Sequence, residues 1–210
     1  VAQRIIKSKG PAEFFTLPLA TNQFKSFMTK HGDDVINSAK VYRDPISSVI
    51  QSVLNVATLG DYRKNINELG YDDIYHLYMV MELKSPQGVV SYWKTEKTSV
   101  VEVVPLDGFP NRPHKNIPVS GQITVNEFFK RGIKRVEETK FFSYDHIFNN
   151  CQIYISTLLK SSNWWNKELE GFVLQNAEAL MRDHGFLNKF ARVSTDIGGI
   201  SERLKSELGF

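Results

Sequence analysis

The sequence predicts an α+β fold: a small antiparallel sheet packed on a cysteine-bearing helix, with further helices at both ends. Three observations predict it. Between residues 71 and 106, aromatic and branched residues dominate and a short group of turn residues interrupts them, as in a hairpin. Around the single cysteine, Ile147, Cys151, Ile155 and Leu158 recur on one helical stripe. Outside these stretches, apolar residues again recur at helical spacing beside capping and stop residues.

Residues 1 to about 40 are weakly patterned, and "GPAEFFTLPLAT", with two prolines, reads as extended or loop. In "DPISSVIQSVLNVATLG", Pro45 suits a first helical turn after Asp44. Ile46, Val49, Ile50, Val53, Leu54 and Ala57 then follow a helical period, and Gly60 stops it. A second short helix, "DYRKNINEL", ends at Gly70. The pattern next switches to strand in "DDIYHLYMVMELK", turns at "SPQG", and continues through "VVSYWKTEKTSVVEVVPL" as one or two strands. "DGFPNRPHKNIPVSG", with three prolines, reads as a loop. "TVNEFFKRGIKRVEET" opens with the Thr-x-x-Glu spacing of a capping box, Thr124 to Glu127. The cysteine helix follows. "NWWNKELEGFVLQNAEALMRDHG" and "STDIGGISERLKSELGF" read as closing helices. The expected organisation is an N-terminal segment over 1–70, a core over 71–162 and a helical extension packed on it over 163–210. There is no internal repeat and no low-complexity segment.

Composition narrows the function. The chain of 210 residues is 41% hydrophobic and 23% charged with a net charge of +3, which is ordinary for a globular protein. No run of Lys and Arg makes a dedicated phosphate-binding tract, so nucleic acid is not an expected partner. One cysteine rules out an intramolecular disulfide and a multi-cysteine zinc site. The first ten residues lack the apolar core of a signal peptide, and no window approaches the ~18 apolar residues of a membrane span. The expected location is therefore intracellular or within a virion, and contact with a membrane has no support. The chain starts at Val1, which suits a trimmed chain or one cut from a longer precursor.

Cys151 has two readings. A cysteine on an apolar helical stripe is usually core. A cysteine in the first turn of a helix that starts near Asn149 or Asn150 meets unpaired backbone N–H groups. These favour a thiolate and can hold the oxyanion of a tetrahedral intermediate. His76, in "GYDDIYHLYMVMEL", sits on a strand just after a helix-to-strand turn. A cysteine at a helix start and a histidine on a strand are the parts of a thiol hydrolase, in which the imidazole takes the thiol proton and later protonates the leaving group.

The order of these parts carries a resemblance. His76 lies on the first strand of a hairpin; a second strand, a loop and a helix follow; then Tyr144 precedes Asn150-Cys151 in a Y-x(5)-N-C arrangement. This order resembles the circularly permuted papain-like cysteine hydrolases, the NlpC-type, lecithin–retinol acyltransferase (LRAT)-type and PPPDE-type groups, over roughly residues 70 to 160. "NNCQ" is similar to the N-C-x-x-F segment of that superfamily, with Tyr154 as the aromatic three residues after Cys151. The resemblance implies a permuted papain-like fold. It also implies a thiol peptidase or isopeptidase working through a thioester, a peptide or protein substrate, no cofactor and a third polar group orienting His76. A virus-encoded maturation enzyme fits the same resemblance. An acyltransferase or phospholipase on the same fold is the alternative, as is a module that has kept the fold and lost the chemistry; no second histidine follows on the strand, as the acyltransferase branch often has.

Hairpin geometry bears on the third group. If Lys84 pairs Val89 across "SPQG", His76 faces Lys97, with Thr95 and Ser99 diagonal to it. A one-residue bulge or a three-residue loop puts Glu96 opposite His76 instead. A carboxylate is the better partner for an imidazolium, so Glu96 is the expected third residue. His146, five residues before Cys151, is the rival base. His114 lies in the proline-rich stretch, and His31 and His184 each read as helix C-terminal residues beside a glycine stop. No His-x-x-x-His or Glu-x-x-His pair and no glycine-rich phosphate loop occurs, so neither a metal nor a nucleotide is expected.

Overall fold

The computed structural model describes residues 17–45, 75–144 and 150–174. Within them the fold is α+β: a five-stranded antiparallel open sheet and five helices. In chain order these are α1 (Asn22–His31), β1 (Val35–Pro45), β2 (Tyr75–Lys84), β3 (Val90–Lys97), β4 (Val101–Leu106), β5 (His114–Asn116), α2 (Val125–Val136), α3 (Glu138–Phe142), α4 (Cys151–Ser161) and α5 (Lys167–Val173). The strands run β4-β3-β2-β1-β5 across the sheet. The chain divides into two compact units, Val1–Asp44 with His76–Gln175 and Pro45–Tyr75 with Asn176–Phe210. Apart from Pro45 and Tyr75, every described residue belongs to the first.

Each helix start has a local cause. Thr21 caps α1 by accepting from the Phe24 N–H at 3.1 Å. Thr124 caps α2 by accepting from the Glu127 N–H at 3.2 Å, the forward half of the expected capping box. Glu127 itself turns to Arg131, one helical turn on. Asn166 caps α5 through the Leu169 N–H at 2.9 Å.

The two faces of the sheet differ. Leu77, Met79, Met81 and Leu83 of β2 point to one face and are fully or almost fully buried. There they join Val101 and Val103 of β4 in a core with the helices. α1 packs on β4, α4 packs on β3, and α2 packs against both helices. The approach of α2 to α4 depends on Gly132: a Cβ there would meet Leu158 Cδ2 at 2.8 Å and Phe141 Cε2 at 3.0 Å. Removing each large apolar side chain from water contributes about 1.5–3 kcal/mol, which makes this face the main source of stability. The opposite face carries a smaller cluster of Tyr42, Tyr78 and Val80.

The structure corrects or refines the sequence reading at several elements. Residues 22–45 contain a helix and a strand, and Pro45 ends β1 rather than entering a helix. β5 lies within the proline-rich stretch, so His114 is on a short edge strand. "VVSYWKTEKTSVVEVVPL" forms two strands, β3 and β4. Lys84 pairs Val90, not Val89, and the hairpin connection is Ser85 to Val89. Gly88 makes this longer turn, with a φ of 84° and its N–H on the Ser85 carbonyl at 2.8 Å. Trp164, one residue into the expected C-terminal extension, is fully buried and stacks on Phe128. The helices expected over 46–70 and beyond residue 174 lie outside the described residues.

Candidate active site

Asn150 sets where the cysteine helix begins. Its Oδ1 accepts from the N–H groups of Gln152 at 3.0 Å and Ile153 at 3.3 Å, and its carbonyl accepts from the Tyr154 N–H at 3.0 Å. Cys151 is therefore the first residue of α4, at the positive end of the helix dipole. It is free and buried. The expectation of several unpaired N–H groups here needs correction. Asn150 already occupies two of them, so the Cys151 N–H is the first-turn donor without a partner among the described residues.

Tyr154, one turn into α4, ties the helix to the hairpin. Its hydroxyl lies 2.7 Å from Thr95 Oγ1. Thr95 gives its own proton to the Glu102 carbonyl at 3.2 Å, so Tyr154 is the donor between the two. Burial is the largest cause holding the Tyr154 hydroxyl proton well beyond the usual tyrosine range, and the Glu96 charge adds to it.

His76 is the second residue of β2, and Glu96 is the seventh of β3. Glu96 pairs with Tyr78, which makes it the diagonal cross-strand neighbour of His76 on one face of the sheet. His76 Nε2 lies 2.9 Å from Glu96 Oε2. Cys151 is the other side-chain partner of His76, and its hydrogen bonding and charge raise the imidazole. The structure thus brings Cys151, His76 and Glu96 together in that order. Neither register considered from the sequence holds: His76 faces neither Lys97 nor Glu96 directly. The longer hairpin turn shifts the pairing by one, and Glu96 arrives diagonally.

The charges agree with this geometry. Burial works against a charge on His76. The hydrogen bonds and charges of Cys151 and Glu96 outweigh it and push the imidazole up to about 10. Burial likewise works against the Glu96 carboxylate, but His76 and Lys94 together hold it below the usual carboxylate range. A histidine set between a cysteine and a carboxylate has the parts of a thiol–imidazole pair with an orienting acid.

The other histidines stand elsewhere. His31 ends α1 beside Gly32, as expected, and bonds Asp34 Oδ2 through Nδ1 at 2.7 Å. His114 is exposed and bonds the Arg112 carbonyl at 2.8 Å. His146 and His184 lie outside the described residues. No group of His, Cys, Asp and Glu among the described residues is arranged to hold a metal. None of the described helices is long and apolar enough to cross a membrane. Sequence reasoning missed Lys94, which pairs with Glu96 Oε1. The signal was present: Lys94 and Glu96 are two apart on a strand and share a face. Comparison with protein-family models, curated proteins and solved structures finds no match for the chain.

Proposed function

We propose that this protein is a cysteine hydrolase in which Cys151 is the nucleophile, His76 the general acid and base, and Glu96 the residue that orients His76. The observation that carries this reading is the double engagement of His76, hydrogen-bonded to Cys151 on one side and to Glu96 at 2.9 Å on the other. A packed strand histidine needs neither partner, and an interaction module needs no charge-matched thiol. The order of histidine and cysteine along the chain, and the sheet packed on the cysteine helix, support the resemblance to permuted papain-like enzymes and with it a peptide or isopeptide bond in a protein substrate.

The chemistry then runs in two steps. The Cys151 thiolate attacks the carbonyl carbon, forming an S–C bond and placing charge on the carbonyl oxygen, which the Cys151 N–H can meet. As the C–N bond breaks, the His76 imidazolium gives its proton to the departing amine, leaving a thioester and a neutral imidazole. Water then attacks the thioester. The imidazole takes a proton from that water, the acid leaves, and the thiolate–imidazolium pair is restored.

Alkylation of Cys151 with iodoacetamide across pH tests this without a known substrate. The wild-type thiol is expected to react readily at pH 6 to 7, and His76→Ala to slow the reaction there by about 100-fold, the lower end of what acid–base partners supply. Equal rates in the two proteins would sink the dyad. A product assay with peptide and phospholipid substrates then separates a peptidase from an acyltransferase.

A further inference from the structure

We infer that Lys94 is a positioning residue of this site, locking the Glu96 carboxylate so that one oxygen stays turned to His76. The inference rests on the cysteine-hydrolase reading and extends it by one residue. Lys94 and Glu96 lie two apart on β3 and so project from the same face. The two carboxylate oxygens are divided between two partners: Lys94 Nζ takes Oε1, and His76 Nε2 takes Oε2 at 2.9 Å. The ammonium is itself placed, 5.6 Å above the ring of Tyr78, the residue that pairs with Glu96 across the hairpin.

A second carboxylate lies opposite on the neighbouring strand. On its other side Glu96 pairs directly with Glu102 of β4, and like charges opposite each other on a sheet repel. The ionisable groups beside Glu96 are His76 and Tyr78 from β2 and Glu102 from β4, with Tyr154 of α4 within reach of its charge and Cys151 beyond His76. Among these described groups the only cationic partner besides Lys94 is the reacting histidine. Without Lys94, the carboxylate would depend for its orientation on the same imidazolium it is meant to orient. It would also be free to turn about its last bond when His76 gives up its proton.

The test uses Lys94→Met, which keeps an apolar stem of similar length over Tyr78 and removes the charge, with Lys94→Arg as the rescue. Alkylation of Cys151 by iodoacetamide at pH 7 is expected to slow about tenfold in Lys94→Met, a part of what a well-oriented acid–base partner supplies. The acid limb of its pH profile should move to higher pH, because Glu96 then takes up a proton more easily. Lys94→Arg should restore both rate and limb. In a Glu96→Gln background, Lys94→Met should add no further loss. The inference is overturned if Lys94→Met keeps the wild-type rate and limb. It is equally overturned if Met and Arg slow the reaction alike, or if the loss persists undiminished in Glu96→Gln. His76→Ala separates the two levels. If it slows alkylation while Lys94→Met does not, the dyad stands and Lys94 falls; if His76→Ala has no effect, the dyad falls and Lys94 with it.

Discussion

The two faces of the sheet do different work, and they alternate residue by residue along the same strands. On the helix side, Met79 and Met81 of β2 and Thr95 of β3 are completely buried. On the other side, His76, Lys94 and Glu96 form a chain of charged partners that reaches Cys151. The larger apolar core and the linked charged groups are thus separated along β2 and β3 by strand parity rather than by region. Odd positions of β2 and β3 face the larger, helix-side core, and the even positions His76, Lys94 and Glu96 carry the charged partners that lead to Cys151.

The largest break of this division should come from the helix side. Met81→Ala is expected to cost about 2–5 kcal/mol in urea unfolding, through lost burial and the cavity left behind. Below its unfolding midpoint it should still alkylate at the wild-type rate; a folded Met81→Ala protein with a slowed thiol would show that the faces are not separate. On the other face, Glu96→Gln should act on charge rather than on stability. The His76 ring, followed by NMR, should lose its proton at a lower pH than in the wild type, because one of the two groups that push it up has become neutral. A ring that titrates unchanged would remove Glu96 from the site.

A smaller effect sharpens the role of the single polar link on the helix side. Thr95→Val leaves the buried Tyr154 hydroxyl without its acceptor and should cost about 1–3 kcal/mol, whereas Thr95→Val with Tyr154→Phe should come back close to wild type. A pH-dependent effect concerns Lys97, whose side chain is buried on the helix-side face and donates to the Lys140 carbonyl at 3.2 Å. Burial lowers its ammonium to about 8. Between about 8 and the ordinary lysine value of 10.5 the unfolded chain holds a proton that the folded chain has released. Wild-type stability should therefore gain on that of Lys97→Met as pH rises through that window, and the gap should stay flat below it. A constant gap from pH 7 to 10.5 would mean that the ammonium keeps its proton in the folded state.

Much of the site was legible before the structure. "NN" ahead of Cys151 marks a helix start, because a short amide side chain is a good cap, and Asn150 is that cap. The aromatic and branched run around His76 marks a strand. What the sequence could not supply was register. A four-residue turn and the actual Ser85–Val89 connection read alike, yet they differ by one residue and so exchange the faces of β3. Glu96 could be proposed as a carboxylate near His76, but its partnership with Lys94 follows only once that parity is known. α1 and β1 were missed for another reason. α1 buries Phe24, Phe27 and Met28 among polar neighbours, and in β1 the buried Ile36, Ala39 and Val41 do not alternate strictly. Tertiary packing decides such segments more than local pattern does.

Thr95 and Glu96 are adjacent, and each holds one half of the candidate reaction. Thr95 grips the helix that begins with the nucleophile, across 59 positions of chain, while Glu96 grips the base. The gap between sulfur and imidazole is therefore gauged by a single dipeptide, like the jaws of a caliper on one bar. Until the hairpin has closed on that helix, a nascent or damaged chain carries an unassisted cysteine. On the proposed reading, the fold itself serves as the safety catch, arming the thiol only in a finished molecule.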